Sequence, residues 1–214
     1  ERGGWDGAWY RRAYCADGTP LGSAASDECR IDAIAQAWAV ISGAAPRARA
    51  EQAMAALEAH LVEPAADLIR LLTPPFDRGA HDPGYIKGYV PGIRENGGQY
   101  THGAMWAVQA FAMLGQRDRA AAHLARLSPV THGGSAQRLA VYRVEPYVVV
   151  ADIYGAAPHL GRGGWTWYTG SAGWMYRIAV EHAFGVRVEA GTTLAVAPCI
   201  PDEWPGCRVR LCLE

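Results

Sequence analysis

Apolar residues recur every three or four positions along much of this chain, and that periodicity restricts its fold more than any other feature. Residues 28–43 show it clearly and follow the N-cap candidates Ser26 and Asp27. Four large side chains there share one helical face: Ile31, Ile34, Trp38 and Ile41. Five more helices are predicted on similar grounds, over 46–60, 101–114, 117–127, 147–154 and 171–185. The chain is therefore expected to be dominated by α-helix.

The connections between these helices are either short or long. Two links, 43–46 and 115–117, hold only a few residues, whereas loops rich in glycine, proline and aromatic residues occupy 64–99, 129–143 and 155–170. Loops of that length are uncommon inside compact domains and usually carry function. Helix pairs with such loops at one end are typical of an α/α toroid, in which the loops line a central cleft. Six helices would form half of a twelve-helix (α/α)6 toroid.

The pattern changes to a period of two after Gly185. Residues 186–189 and 194–196 alternate as strands with a turn between them, and alternation returns over 207–213. We expect a small β element at this end of the chain. The sequence thus predicts two units: a helical domain over 1–185 and a short β-rich element over 186–214.

Composition argues against several classes of function. The chain has 214 residues, 50% hydrophobic and 19% charged, which is typical of a folded globular protein rather than a disordered one. A net charge of −1 without long Lys/Arg runs argues against nucleic-acid binding. No apolar run approaches the roughly 20 residues of a membrane span. The five cysteines show no pairing framework, so we expect reduced thiols in a cytoplasmic protein, or in the cytosolic portion of an inner-membrane protein.

One segment, residues 87–102, concentrates polar groups beside four glycines and ends at a predicted helix start. Its candidates for ligand contact are Arg94, Glu95, Asn96, Gln99 and His102. Glycines let the backbone approach a ligand closely, and a helix start offers free N–H donors to an anion. The segment therefore predicts a site for a polyol or a phosphate. A hydrogen-bonded Ω-loop capped by Thr101 is the purely structural alternative.

Residues 163–177 form a second segment of this kind. Thr169, Gly170 and Ser171 stand at another predicted helix start, which again suits an anion. Aromatic side chains nearby offer flat faces that suit stacking on sugar rings: Trp165, Trp167, Tyr168 and Trp174. An aromatic core with a serine cap is the structural alternative.

Acidic residues elsewhere are weaker candidates. Asp6 precedes a glycine, which is typical of a turn. Glu28 and Asp32 stand four positions apart, a spacing that on a helix presents two carboxylates to a cleft, although Arg30 beside them fits a solvated face equally well. Glu145 is expected to be a charge at a helix N-terminus. The seven histidines show no metal-binding spacing, so no metal is expected.

Five motifs, in this order, carry a resemblance to a known family: DGAWYRRAY (6–14), ECRIDAIAQAW (28–38), PGIRENGGQYTH (91–102), VEPY (144–147) and WTWYTGSAGWMY (165–176). Together they resemble glycoside hydrolase family 94, the inverting disaccharide and β-glucan phosphorylases. The resemblance covers nearly the whole chain and is closest to the C-terminal phosphorylase-like region of cyclic β-1,2-glucan synthases. Cellobiose phosphorylases look more distant, with Lys where Arg94 stands.

The resemblance implies an (α/α)6 barrel flanked by β elements, and phosphorolysis with inversion. Phosphate attacks the anomeric carbon while one Asp protonates the leaving glycosidic oxygen. No cofactor is implied, since inorganic phosphate is the co-substrate. By the family pattern, His102, Thr169 and Gly170 hold phosphate. The residues expected to bind sugar are Arg94, Glu95, Gln99 and Trp165.

The family's general acid lies in a Gly-Asp-Trp-Asn-Asp-Gly type motif, which this sequence lacks. We therefore expect the C-terminal half of a catalytic domain, and the catalytic acid itself is unassigned. The expected partners are a β-glucan oligosaccharide, phosphate and the N-terminal half of the same domain, together with self-association through exposed apolar surface. The expected function is that of part of a phosphorylase that releases glucose 1-phosphate from β-linked glucan, with the β-1,2 linkage favoured.

Two other classes of function stay open at this point. One is a carbohydrate-binding or regulatory module without catalysis. The other is a hydrolase of a related α/α-toroid family that uses Glu28, Asp32 or Glu95 as acid and base.

Overall fold

The computed structural model describes residues 3–167 and 169–210, and in these ranges seven α-helices dominate the architecture. They are α1 (Ala33–Ile41), α2 (Arg47–Leu61), α3 (Thr101–Met113), α4 (Arg117–Arg126), α5 (Pro129–His132), α6 (Ala136–Tyr142) and α7 (Thr169–Ile178). One π-helical turn, Ala179–Ala183, continues α7. The structure agrees with the prediction of a helical domain, and the half of an (α/α)6 toroid stays a prediction.

Ten short strands within the described ranges pair as five antiparallel two-stranded sheets. The pairs are β1 (Ala13–Tyr14) with β2 (Pro20–Leu21), β3 (Ile31–Asp32) with β6 (Leu72–Thr73), β4 (Val62–Glu63) with β5 (Leu68–Ile69), β7 (Gln99–Tyr100) with β8 (Asp152–Ile153), and β9 (Val186–Glu189) with β10 (Thr193–Val196). All but the last have two residues per strand. They join loops to the ends of helices and do not build a separate layer.

Helix α3 lies at the centre of the core and packs against α1, α4 and α7, while α2 covers α1. Its sequence is rich in alanine and glycine, so neighbouring backbones approach closely. A Cβ at Gly103 would lie 2.7 Å from Leu71 Cδ1, so a larger residue there would require the Leu71 side chain to shift. Large buried side chains fill the spaces between the helices, among them Met54, Leu57, Met105, Phe111 and Ile178.

Helix α1 begins five residues later than the sequence predicts. Ile31 and Asp32 pair with Leu72 and Thr73 in a sheet, so the chain is extended where a helical turn was expected. Asp32 is the N-cap: its Oδ1 accepts hydrogen bonds from the backbone N–H of Ile34 at 2.8 Å and of Ala35 at 3.2 Å. The predicted caps Ser26 and Asp27 were therefore wrong.

The stretch from 129 to 154 reverses the predicted order of loop and helix. The expected loop contains α5 and α6, since Pro129 opens α5 and Ser135 Oγ accepts from Arg138 N at the start of α6. The helix expected over 147–154 was wrong, and β8 lies in this stretch. Apart from Asp152, the residues over 147–154 are apolar or aromatic on all sides and lack the polar face of a surface helix. Two residues of this stretch, Asp152 and Ile153, pair with β7 instead.

The small C-terminal β element is confirmed over 186–196. Ala190 and Gly191 both have positive φ, at 51° and 73°, which closes the turn between β9 and β10. Residues 207–210 form no strand, and the rest of the predicted alternation over 207–213 lies outside the described residues. None of the described helices has the length and apolar character needed to cross a bilayer.

Candidate functional site

Residues 90–98, directly before β7 and α3, form a turn closed by several hydrogen bonds, which we call the braced turn. Asn96 is fully buried, accepts from Phe76 N at 2.7 Å, and donates to the carbonyl oxygens of Phe76 and Tyr89. Gly92 has a φ of +88° and a Cβ there would overlap Ala156, so only glycine fits. Asn96 thus serves the loop itself, as the Ω-loop interpretation expects, and leaves ligand contact to its neighbours.

Arg94 and Glu95 stand at the tip of this turn with their side chains largely buried, at 13% and 12% exposure. The Arg94 guanidinium lies over the Trp165 ring, 4.7 Å from its centroid, and 5.4 Å from the Tyr89 centroid. Arg94 Nε and Glu95 Oε2 are 3.6 Å apart, and neither atom has a hydrogen-bond partner in the described part of the chain. Trp165 remains half exposed, so a charged pair and an aromatic face stand together at the surface.

Asp152 lies beneath this pair and was not anticipated from the sequence. Its Oδ1 accepts from Trp165 N at 3.1 Å, and a Cβ at Gly164 would overlap its carboxylate. Burial raises the pKa of the Asp152 carboxyl, and the Arg94 charge opposes that rise. Its Oδ2 is buried without a hydrogen-bond partner among the described residues. A single acid inside the apolar run 148–153 was the signal that could have identified it.

His102, the second residue of α3, points toward the start of α7. A Cβ at Gly170 would lie 2.6 Å from His102 Nε2, so the absent side chain gives the imidazole its space. The Tyr100 ring stacks on the imidazole with centroids 4.9 Å apart. Burial lowers the pKa of His102, and the Glu95 carboxylate partly opposes this, which places Glu95 close by.

Two helix starts therefore meet beside Arg94 and Glu95. The first-turn N–H groups of a helix have no intrahelical acceptor and favour an anion. Thr169 and Gly170 are solvent-exposed, while Ser171 is buried and its Oγ donates to Val150 O at 3.1 Å. Ser171 thus anchors α7, and Thr169 and Gly170 before it remain accessible to solvent beside His102.

The structure does not bring every predicted site residue to this cluster. Gln99 is fully buried: its Oε1 accepts from Ile69 N at 3.0 Å and its Nε2 lies 3.4 Å from Thr101 Oγ1. Trp174 packs edge-to-face on Trp106 and belongs to the aromatic core. Tyr168 lies outside the described residues.

The other carboxylates are occupied by structural contacts. Glu28 Oε1 accepts from the backbone N–H groups of residues 77, 78 and 79, and Glu28 lies before α1, not on it. The interpretation of Glu28 and Asp32 as two positions on one helical face was therefore wrong. Asp6 accepts from Arg11 Nε, Ser23 Oγ and Ala24 N. No helix begins at Glu145 or Pro146, and Glu145 instead accepts from Trp167 Nε1 at 3.1 Å, so its predicted helix-terminal role was also wrong.

Known proteins similar to this chain include a glucan synthase and two disaccharide phosphorylases. It is 54% identical over 206 residues to the cyclic beta-(1,2)-glucan synthase NdvB of Rhizobium meliloti (strain 1021), covering 96% of this chain and 7% of that protein. It is 33% identical over 208 residues to the solabiose phosphorylase of Paenibacillus borealis, covering 97% of this chain and 26% of that enzyme. Identity to the N,N'-diacetylchitobiose phosphorylase of Vibrio proteolyticus is 35% over 209 residues, covering 96% and 25% of the two chains.

The chain thus spans about a quarter of the length of these two phosphorylases and 7% of the glucan synthase. The model of one family, the glycosyl hydrolase 94 superfamily, catalytic domain, matches residues 1–185. That match covers the braced turn, His102 and the start of α7. The chain belongs to the glycosyl hydrolase 94 superfamily and is part of its catalytic domain.

Proposed function

We propose that this chain forms the phosphate side of an inverting glycoside phosphorylase that acts on β-1,2-linked glucan and releases glucose 1-phosphate. The observation that carries the proposal is the approach of His102 Nε2 to Gly170 at the start of α7, beside Arg94 and Glu95. Family membership supports the reaction class, and the 54% identical glucan synthase supports the linkage.

In this mechanism His102, Thr169 and Gly170 hold phosphate, which attacks the anomeric carbon from the side opposite the leaving oxygen. Two helix starts contribute N–H donors and positive potential to the same place. Burial lowers the pKa of His102 and so favours the neutral imidazole, whereas a bound phosphate dianion would favour its protonation. His102 then donates a charge-assisted hydrogen bond to the dianion.

The sugar is held by the neighbouring residues. Glu95 accepts hydrogen bonds from sugar hydroxyls, and Arg94 donates to them while Trp165 presents its ring to the apolar face of the sugar. A carboxylate in the phosphate position would repel the dianion, which fits the place of Glu95 beside His102. Gln99 enters only indirectly, because its buried amide joins β7 to Ile69 of β5 and to Thr101 at the start of α3.

The architecture and partners follow from the same proposal. Residues 1–185 contribute helices to an (α/α)6 toroid, and the β9–β10 hairpin over 186–196 lies beside it. The general acid and the remaining helices come from other parts of a longer protein, since this chain spans 7% to 26% of the relatives described above. The partners are a β-glucan oligosaccharide, inorganic phosphate and that other half of the domain.

The test uses the full-length protein with β-1,2-glucan, with and without phosphate, and measures glucose 1-phosphate. We expect phosphate-dependent release. His102→Ala should raise the KM for phosphate and lower kcat/KM on the order of 100-fold, as for loss of one donor at a developing charge. Glu95→Gln should lower the rate of glucan cleavage while leaving the KM for phosphate almost unchanged.

The matched controls are His60→Ala and Glu51→Gln, two exposed positions on α2 outside the cluster. Both should behave like the unmodified protein. Calorimetric glucan binding without turnover would instead indicate a binding module. Sugar release independent of phosphate would indicate a hydrolase, for which Glu95 is the candidate, because Glu28 and Asp32 are held by backbone N–H groups.

A further inference from the structure

Three side chains that commonly bind metals meet outside the cluster around His102. Cys15 and Asp17 lie on the loop between β1 and β2, and His81 lies on the segment after β6. One ligand atom from each, the thiol sulfur, a carboxylate oxygen and an imidazole nitrogen, lies within 4.8 Å of the other two. Histidine spacing along the sequence predicted no metal, because these ligands come together only in three dimensions.

The backbone fixes the loop that carries two of these ligands. Cys15 N donates to Thr19 O at 2.8 Å, Gly18 N donates to Cys15 O at 2.9 Å, and Gly18 takes a φ of +85°. Thr19 N also donates to Asp17 Oδ1 at 2.9 Å, so the other oxygen, Oδ2, is the one that faces His81. That oxygen is 3.6 Å from His81 Nδ1. The loop backbone and the Asp17 carboxylate are therefore held in place before any ion binds.

The donor set suits zinc. Thiolate, imidazole and carboxylate are the three ligand types that Zn²⁺ accepts, and the soft sulfur disfavours Mg²⁺ and Ca²⁺. A thiolate and a carboxylate together balance the two positive charges of the ion. In a tetrahedral site with bonds of about 2.0–2.3 Å, the ligand atoms lie roughly 3.5 Å apart. The three ligand atoms here lie within 4.8 Å of one another, so side-chain rotations that move them by about 1 Å complete the site. Asp17 and His81 are exposed, which leaves a fourth position to water.

We propose that Cys15, Asp17 and His81 bind one zinc ion, with water as the fourth ligand. The Cys15 thiol loses its proton to solvent when the Zn–S bond forms, so affinity rises with pH. The ion joins the β1–β2 loop to the segment 77–84, which Glu28 already holds through three backbone N–H groups. The zinc ion would stabilise the loop that leads into the braced turn. This proposal does not depend on the proposed phosphorolysis.

The test titrates the metal-free, reduced full-length protein with Co²⁺ as a spectroscopic probe and then displaces it with Zn²⁺. We expect binding of one ion at this site, with near-ultraviolet thiolate-to-cobalt absorption that Zn²⁺ abolishes. Cys15→Ser should remove that absorption. His81→Ala should weaken binding by at least about tenfold, because even the loss of a partner behind a ligand costs about 10–100-fold.

Cys207→Ser and His159→Ala are the matched controls, because they remove an exposed thiol and an exposed imidazole elsewhere. Both should keep the absorption. Circular dichroism of each variant reports whether it remains folded, and zinc should raise the Tm of the unmodified protein but not of Cys15→Ser. Absorption that persists in Cys15→Ser, or a titration without saturable binding, overturns the proposal.

Discussion

At the scale of single residues, the least expected feature is a buried acid under the Arg94–Glu95 pair. Sequence patterns identified the polar residues of the segments 87–102 and 163–177, because glycines and helix starts are local signals. They did not identify Asp152, whose importance arises from contacts with Trp165 and Gly164 on a later loop of the chain. Nor did they show that Gln99 is buried while its neighbours line the site. In a strand such as β7, successive side chains point to opposite faces, so Gln99 points into the core.

Asp152→Asn tests the energetic consequence of that burial. Burial raises the folded-state pKa of Asp152 above its unfolded value, so the folded protein binds the proton more tightly than the unfolded chain. Stability contributed by the protonated carboxyl is complete below the unfolded pKa, near 3.9, and is lost as pH rises through the folded pKa. We therefore expect Asn, which cannot ionise, to increase the free energy of unfolding at neutral pH relative to the unmodified protein.

Urea denaturation at pH 3.5 and pH 7.5 (roughly, the two sides of the ordinary Asp titration) measures this difference. The gain of Asp152→Asn should be present at the higher pH and nearly absent at the lower one. Asp202→Asn is the control, because Asp202 is exposed and pairs with Arg117 at the surface. A pH-independent effect of Asp152→Asn would contradict the assignment of a burial-dependent titration.

At the scale of elements, helices with local boundary signals were predicted well. Pro46 before α2, Gly115 after α3 and Gly185 after the π-helical turn all mark ends that need no distant partner. The start of α1 and the stretch 129–154 were predicted wrongly because pairings across the chain decide them. β3 pairs with β6 and β7 pairs with β8, and neither partner is visible from the periodicity of one segment.

The cap of α1 provides a test at this scale. Asp32→Ala leaves the N–H groups of Ile34 and Ala35 without their acceptor inside the core, which should cost about 1–2 kcal/mol of unfolding free energy. Asp32→Asn keeps a side-chain oxygen in the same place and should cost less. Chemical denaturation of the two variants measures the difference, and an equal loss in both would show that the carboxylate acts through its charge toward Arg12 instead.

At the scale of the whole molecule, the described surface is uneven in its polarity. An apolar cleft of 570 Å³ lies between the β9–β10 hairpin and the residues that follow it. Its lining includes Leu194 and Val196, whose exposed fractions are 51% and 64%. Contiguous apolar surface of this kind favours association in water, because each contact removes apolar area from solvent. Scattered single apolar residues do not have this effect.

We therefore expect the 214-residue chain on its own to self-associate as concentration rises. Leu194→Glu and Val196→Lys together should shift the population toward monomer, because two opposite charges interrupt the cleft without changing net charge. Val130→Lys is the matched control: Val130 is 70% exposed on the short helix α5, outside the cleft, and should not change the association. Size-exclusion chromatography with light scattering over a dilution series measures the mass. If the unmodified chain stays monomeric at every concentration, the hairpin cleft does not drive association and its apolar lining must be explained by packing within this chain.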